Sequence, residues 1–265
     1  MHDFLRRHWP EYLIEAGALA VFMVSACAFG VLLEHPASPV RHALADADLR
    51  RSLGGLAMGL TAASIIYSPW GRQSGAHINP AVTLTFFRLG KVPAWDAGFY
   101  VAAQFVGGVL GVAVAAALLG RALADPAVNY VATVPGPHGP GVAFAAELAI
   151  SFAIMAVILA ISSDARLSRY TGVCAATLVA LYITFEGPLS GMSMNPARTT
   201  GSAIGAGTWT SAWVYFTAPP LGMLLAAEAF QAVTQGRARH CAKLQHDDSR
   251  PCIFCAAGTG GSDVG

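Results

Sequence analysis

Apolar residues run almost unbroken through six stretches of the chain, at about 12 to 33, 53 to 69, 94 to 119, 142 to 162, 170 to 189 and 211 to 233. Each approaches the roughly 20 residues that an α-helix needs to cross a 30 Å hydrocarbon core. The pattern therefore predicts an all-α membrane protein with six transmembrane helices. Between the second and third stretch of each trio lies a shorter apolar run that opens on the tripeptide Asn-Pro-Ala. One copy is Asn79-Pro80-Ala81, running to Leu89 and closed by Gly90; the other is Asn195-Pro196-Ala197, running to Ile204 and closed by Gly205. Asn is a favoured N-cap, Pro suits the first helical position and Gly suits the end. Ten or eleven residues at 1.5 Å each reach roughly 16 Å, half of the core. Two re-entrant half-helices are predicted.

Each half holds three spans, an odd number, so the second copy lies upside down relative to the first and the fold is an inverted repeat. The half-helices then come from opposite faces and meet N-terminus to N-terminus near the midplane. Irregular backbone at that depth is tolerated where protein or a water-filled cavity satisfies it, so a hydrated path is expected past the junction. The expected organisation is a short cytoplasmic segment over 1–10, a channel domain over 11–235 (repeat one about 11–119, repeat two about 142–235) and a cytoplasmic tail over 236–265.

Composition agrees with burial in lipid: 55% of residues are hydrophobic and 12% charged, with a mean hydropathy of +0.53, whereas soluble domains carry about 25% charged residues. The net charge of +1 matters less than its distribution. With both termini inside, the inner side receives Arg6, Arg7, Arg72, Arg88, Lys91, Arg166 and Arg169 as well as the basic residues of the tail, and the outer side keeps Arg41, Arg50, Arg51 and Arg121. That bias favours cytoplasmic termini in a multi-pass protein of the plasma or inner membrane. The first span is too long for a signal-peptide core and is interrupted by Glu15, so it reads as a retained helix. Cys27 and Cys174 fall in spans and Cys241, Cys252 and Cys255 in the tail, so no disulfide framework is expected.

At the junction each Asn side chain offers N–H donors and two helix dipoles present their positive ends. Water there accepts from the asparagines and turns its own hydrogens away, which breaks a proton relay. Arg198 follows the second tripeptide. A charge at bilayer depth costs at least about 2.5 to 3.5 kcal/mol, so this one is expected to face water and repel cations, leaving neutral solutes to pass.

The segments Ser74-Gly75-Ala76-His77-Ile78-Asn79-Pro80-Ala81-Val82-Thr83 and Gly191-Met192-Ser193-Met194-Asn195-Pro196-Ala197-Arg198 closely resemble the paired signatures of aquaporins, the major intrinsic proteins. The resemblance covers about residues 11 to 233 and implies a passive channel that assembles as a homotetramer. It also places a constriction at Met58, Ile183, Met192 and Arg198, with Gly59 as the alternative to Met58. Water channels usually have His where Ile183 stands and an aromatic where Met58 stands; glycerol facilitators usually have Trp, Gly and Phe at the three variable positions. Thr199, where glycerol facilitators usually carry Asp, and the pair Tyr215-Phe216 favour the water branch. The expected function is a proton- and ion-excluding water channel. The alternatives are a facilitator of glycerol, ammonia, hydrogen peroxide or another small neutral solute, or a non-conducting scaffold. No Ser, His and acid grouping or metal ligand set falls in the membrane part, so neither an enzyme nor a cofactor is expected, and no nucleic-acid partner.

Glu15 and Glu147 each stand near the start of the first helix of a half. They are expected to accept hydrogen bonds from the re-entrant loops, the role that the resemblance also implies. His77 is expected to bond loop backbone beside the pore. Gly55, Gly59, Gly107, Gly111 and Gly172 suit close helix packing. The tail brings together His240, Cys241, His246, Cys252 and Cys255. One C-x-x-C pair is weak ground for a metal, so the tail is read as unstructured, with a zinc site or a redox pair as alternatives.

Overall fold

The computed structural model describes residues 2–235, 241–246 and 252–255. Among them are eleven α-helices, beginning with α1 (His2–Glu34), α2 (Pro39–Ala43), α3 (Ala47–Tyr67), α4 (Pro69–Ser74), α5 (Pro80–Arg88) and α6 (Ala94–Leu119). The second half has α7 (Gly139–Ser163), α8 (Thr171–Phe185), α9 (Gly187–Ser190), α10 (Pro196–Ala206) and α11 (Ala212–Thr234). Helices α1, α3, α6, α7, α8 and α11 are the six spans, and α5 and α10 are the half-helices. By length and composition, α1, α6 and α7 supply stretches long and apolar enough to cross a membrane.

Helix α11 lies within one residue of its predicted limits and α1 begins earlier, at His2, while α3 and α8 depart from theirs for local reasons. Helix α3 begins at Ala47 rather than near 53, because the Asp46 side chain caps the N–H groups of Asp48 and Leu49. Arg50 and Arg51 therefore sit on the helix. There Arg50 pairs with Glu34 at 3.1 Å and donates to the carbonyls of Leu44 and Ala45. Helix α8 stops at Phe185 instead of continuing to about 189, because Gly187-Pro188 starts a separate turn, α9. The same device, Ser68-Pro69, separates α4 from α3. Gly205 does not close the second half-helix. Helix α10 runs on to Ala206 and ends at Gly207, whose φ of 64° suits a residue without Cβ.

Packing repeats the symmetry of the sequence. Helix α1 lies against α6 and α7 against α11, α3 crosses α8 at the centre, and each half-helix leans on the opposite half, α5 on α11 and α10 on α6. Small residues set these distances. A Cβ on Gly107 would stand 2.2 Å from the Ala16 carbonyl oxygen, and one on Gly222 would stand 2.4 Å from that of Leu148. Gly55 and Gly59 face the Ala180 and Ala176 carbonyls of α8 in the same way.

The tail differs most from expectation. Residues 241–246 and 252–255 are folded against the channel: Ala242, Leu244 and Phe254 are buried in the same apolar cluster as Ala76, Val82 and Tyr100. Leu244 N–H donates to the Gly75 carbonyl at 3.1 Å, and Phe254 stacks on His77 with ring centroids 5.8 Å apart. His240 lies outside the described residues.

Candidate functional site

Both re-entrant loops take one unusual backbone path. Gly75, Ala76 and Ile78 have φ of 99°, 54° and 42°; Gly191, Met192 and Met194 have 80°, 48° and 52°. For residues with a Cβ the left-handed region costs roughly 1–2 kcal/mol each, so other contacts must hold the loops. A buried carboxylate does so in each half. Glu15 accepts from Ser74 Oγ at 2.8 Å, His77 N–H at 3.1 Å and Ile78 N–H at 2.6 Å. Glu147 accepts from Ser190 Oγ at 2.8 Å, Ser193 N–H at 2.6 Å and Met194 N–H at 2.7 Å. A tyrosine closes each set from behind, Tyr100 donating to the Ser74 carbonyl at 2.8 Å and Tyr215 to that of Ser190 at 2.6 Å.

Each loop delivers an asparagine to the start of a half-helix. Asn79 Oδ1 accepts from Ala81 N–H at 2.9 Å, and Asn195 Oδ1 accepts from the N–H groups of Ala197 and Arg198 at 3.0 and 3.2 Å. Pro80 and Pro196 occupy the first turns, where the missing N–H is no loss. Across the junction the two asparagines exchange bonds: Asn79 Nδ2 donates to the Met194 carbonyl at 2.7 Å and Asn195 Nδ2 to that of Ile78 at 2.8 Å. An amide nitrogen carries two hydrogens. One ties the halves together and the second remains for the space that both asparagines line.

That space is a cavity of about 540 Å³. Met58, Ile183, Met192 and Arg198 all line it, together with Asn79 and Asn195. Between the two second-helix candidates, Met58 is the lining residue and Gly59 is turned to α8. Arg198 stands in the first turn of α10 and its guanidinium donates to Thr133 Oγ1 in the segment before α7. Two residues chosen as solute markers also have mechanical contacts: Thr199 is hydrogen-bonded to Ser193, and Tyr215 is the loop brace described above.

Sequence reasoning missed Thr133, the serine and tyrosine braces, and Leu244, which lines the cavity at its tail side. Repetition could have found the braces, since Ser74-Gly75 and Ser190-Gly191 precede the two asparagines and Tyr100 and Tyr215 recur in the last helix of each half. No spacing marks Thr133 or Leu244. His77 bonds as expected but not to its own loop: its Nε2 donates at 2.6 Å to the Ala242 carbonyl of the tail, and its Nδ1 lies 3.1 Å from Thr83 Oγ1.

Comparison with known proteins agrees with this geometry. The family model described as Major intrinsic protein matches residues 3–230. Aquaporin NIP6-1 of Arabidopsis thaliana is 37% identical over 191 residues, 72% of this chain, and Aquaporin NIP2-3 of Zea mays is 37% identical over 190 residues, 71% of this chain. The matched parts span 58% and 60% of those two relatives. The X-ray structure of the aquaglyceroporin from Plasmodium falciparum superposes with a TM-score of 0.68 at 18% identity, covering 86% of this chain and 97% of that one, which supports the shared fold. Paired asparagine-capped half-helices, the buried carboxylate braces and the extent of the family match together establish that this chain belongs to the major intrinsic protein family, the aquaporin channels.

Proposed function

We propose that the protein is a passive, gradient-driven channel for water that excludes protons and ions, with both termini cytoplasmic and a homotetrameric assembly. The reading rests on the crossed asparagine bonds at the meeting point of two helix N-termini, inside a cavity that also holds Arg198. A water at this point accepts from the spare asparagine N–H groups, so its hydrogens are directed away along the pore in both directions. The convergent positive ends of α5 and α10 raise the potential for any cation, and the guanidinium, held by Thr133, adds a full charge on the side away from the tail. Nothing in this arrangement consumes or forms a covalent bond.

Selectivity among neutral solutes belongs to Met58, Ile183 and Met192, which surround the path with apolar atoms, while Arg198 and the Thr133 hydroxyl supply polarity. Water needs a single file of such partners and passes. A second reading, favoured by these three apolar side chains and the flexibility of methionine, is a polyol facilitator: carbon atoms would slide on the thioethers while hydroxyls met the arginine. Stopped-flow light scattering on proteoliposomes separates the two. Shrinkage under a sucrose gradient faster than in empty liposomes, with glycerol equilibration no faster than in them, is the expected result; glycerol faster than water would reverse the ranking.

A further inference from the structure

We propose that Cys241, His246, Cys252 and Cys255 form a zinc-type metal site whose loading seats Leu244 in the cytoplasmic mouth of the pore. The ligand atoms of these four side chains all lie within 4.8 Å of one another. Cys241 Sγ is 3.4 Å from Cys252 Sγ, and His246 Nε2 is 3.1 Å from Cys255 Sγ. Around a tetrahedral zinc with bonds of about 2.0 to 2.3 Å, ligand atoms stand roughly 3.5 to 3.8 Å apart, so the observed spread needs an adjustment of about 1 Å at most. The sulfur pair is well beyond the roughly 2.05 Å of a disulfide. Three thiolates and one imidazole are a soft donor set, suited to zinc over magnesium or calcium. Three thiolates around a divalent ion leave one negative charge in excess. Lys243, 3% exposed, stands between two of the ligands in sequence, a cation in the same segment.

The position of the cluster gives it a consequence. The two segments that carry the ligands also carry Ala242, Leu244 and Phe254, and these are the side chains packed on the first re-entrant loop. Leu244 lines the same cavity as Asn79 and Arg198, on the tail side of the junction. His77 is gripped twice, by the Ala242 carbonyl and by the Phe254 ring. Burial of three apolar side chains is little to set against the backbone entropy of fixing two short segments without a core of their own. A metal that crosslinks four side chains supplies the missing constraint, as in small domains that fold on metal binding. Loaded, the tail is a rigid knuckle docked on Gly75 and His77 with Leu244 in the water path; stripped, it has little to hold it there.

The gating half of this inference rests on the channel reading above, and the metal half does not. The test uses the full-length protein. Purified protein is expected to hold one zinc per chain by elemental mass spectrometry, to show thiolate-to-metal charge transfer with cobalt, and to lose both in the Cys252→Ser/Cys255→Ser variant. Zinc at background level in the wild type, or a Cys241–Cys252 disulfide in its place, overturns the site. In proteoliposomes, chelation is expected to raise osmotic water permeability at least about tenfold, the change from an open minor state of about 10% to a fully open one. Leu244→Ala is expected to give the fast rate with zinc still bound. Bound zinc with equal permeability before and after chelation, and in Leu244→Ala, overturns the plug. If neither stripped protein nor Leu244→Ala exceeds empty liposomes, the channel reading is what fails, and the zinc count still decides the site.

Discussion

The two re-entrant loops share one set of supports, to which the first adds Gln104 on Glu15, and differ in what they present to the pore. Loop one has Gly75, Ala76 and Ile78 left-handed, Glu15 behind it, Tyr100 as brace and Asn79 as cap; loop two repeats each with Gly191, Met192, Met194, Glu147, Tyr215 and Asn195. Where the repeats diverge, they meet different neighbours. Val82 in the first half corresponds to Arg198 in the second, which is held by Thr133; His77 corresponds to Ser193, and it is held by the tail. Duplicated positions keep the fold, and unduplicated ones face opposite mouths of the pore with different chemistry. The comparison teaches that Arg198 with Thr133 and His77 with the tail occupy separate ends of one symmetric frame.

The largest effect is expected from removing the carboxylate that braces each half. Glu147→Ala strips the acceptor from three donors, and Glu15→Ala strips it from the three matching donors of the first loop and from Gln104 Nε2. Hydrogen bonds to a charged group contribute about 1.5–3 kcal/mol each, so each variant should lose at least about 3 kcal/mol, read as a lower unfolding temperature in detergent. Similar losses in the two variants support equivalence of the halves, and a loss in one alone breaks it.

Next comes the substitution that makes the second half copy the first. Arg198→Val should leave the fold in place while lowering the cation barrier by about 1 to 4 kcal/mol, the Coulomb range from water to a partly buried site at close approach. A proton leak at least about fivefold above wild type, followed with a trapped pH dye, is the expected readout. Thr133→Val tests the support of that charge. Loss of one hydrogen bond of about 0.5–1.5 kcal/mol should shift the ratio of water to glycerol permeability by roughly two- to tenfold, with thermal stability little changed. The smallest effect is at the end of α10. A Cβ on Gly207 meets nothing within 4 Å, but φ is 64°; Gly207→Ala should therefore cost about 1 kcal/mol by backbone strain alone, visible as a small drop in unfolding temperature.

The comparison also marks what the sequence could reveal. Repeated features were legible because each half vouches for the other: six spans, two Asn-Pro-Ala caps, Glu15 with Glu147. Helix limits were less so, since Asp46 and Gly187-Pro188 act through local capping that an apolar count does not register. Gly205 misled because a glycine near a helix end resembles a cap, whereas here it is packed beside Tyr130 and Val112 and the left-handed residue comes two places later. The partners of Arg198 and His77 were illegible. Thr133 and Ala242 are 65 and 165 residues away from them in the chain and belong to segments with no periodic pattern. The tail reads as unstructured because its composition is that of a loop, and its packing on the first re-entrant loop has no sequence signal.

The central claim is that the crossed asparagines and Arg198 form a path that conducts water and interrupts protons. The most direct measurement records both fluxes in the same proteoliposomes, shrinkage under a sucrose gradient and acidification of a trapped dye under a proton gradient, with metal-loaded and chelated full-length protein. The account predicts, in at least the chelated sample, water flow well above that of empty liposomes, with proton entry indistinguishable from them. Water flow equal to that of empty liposomes in both samples, or fast water accompanied by fast protons, would contradict it.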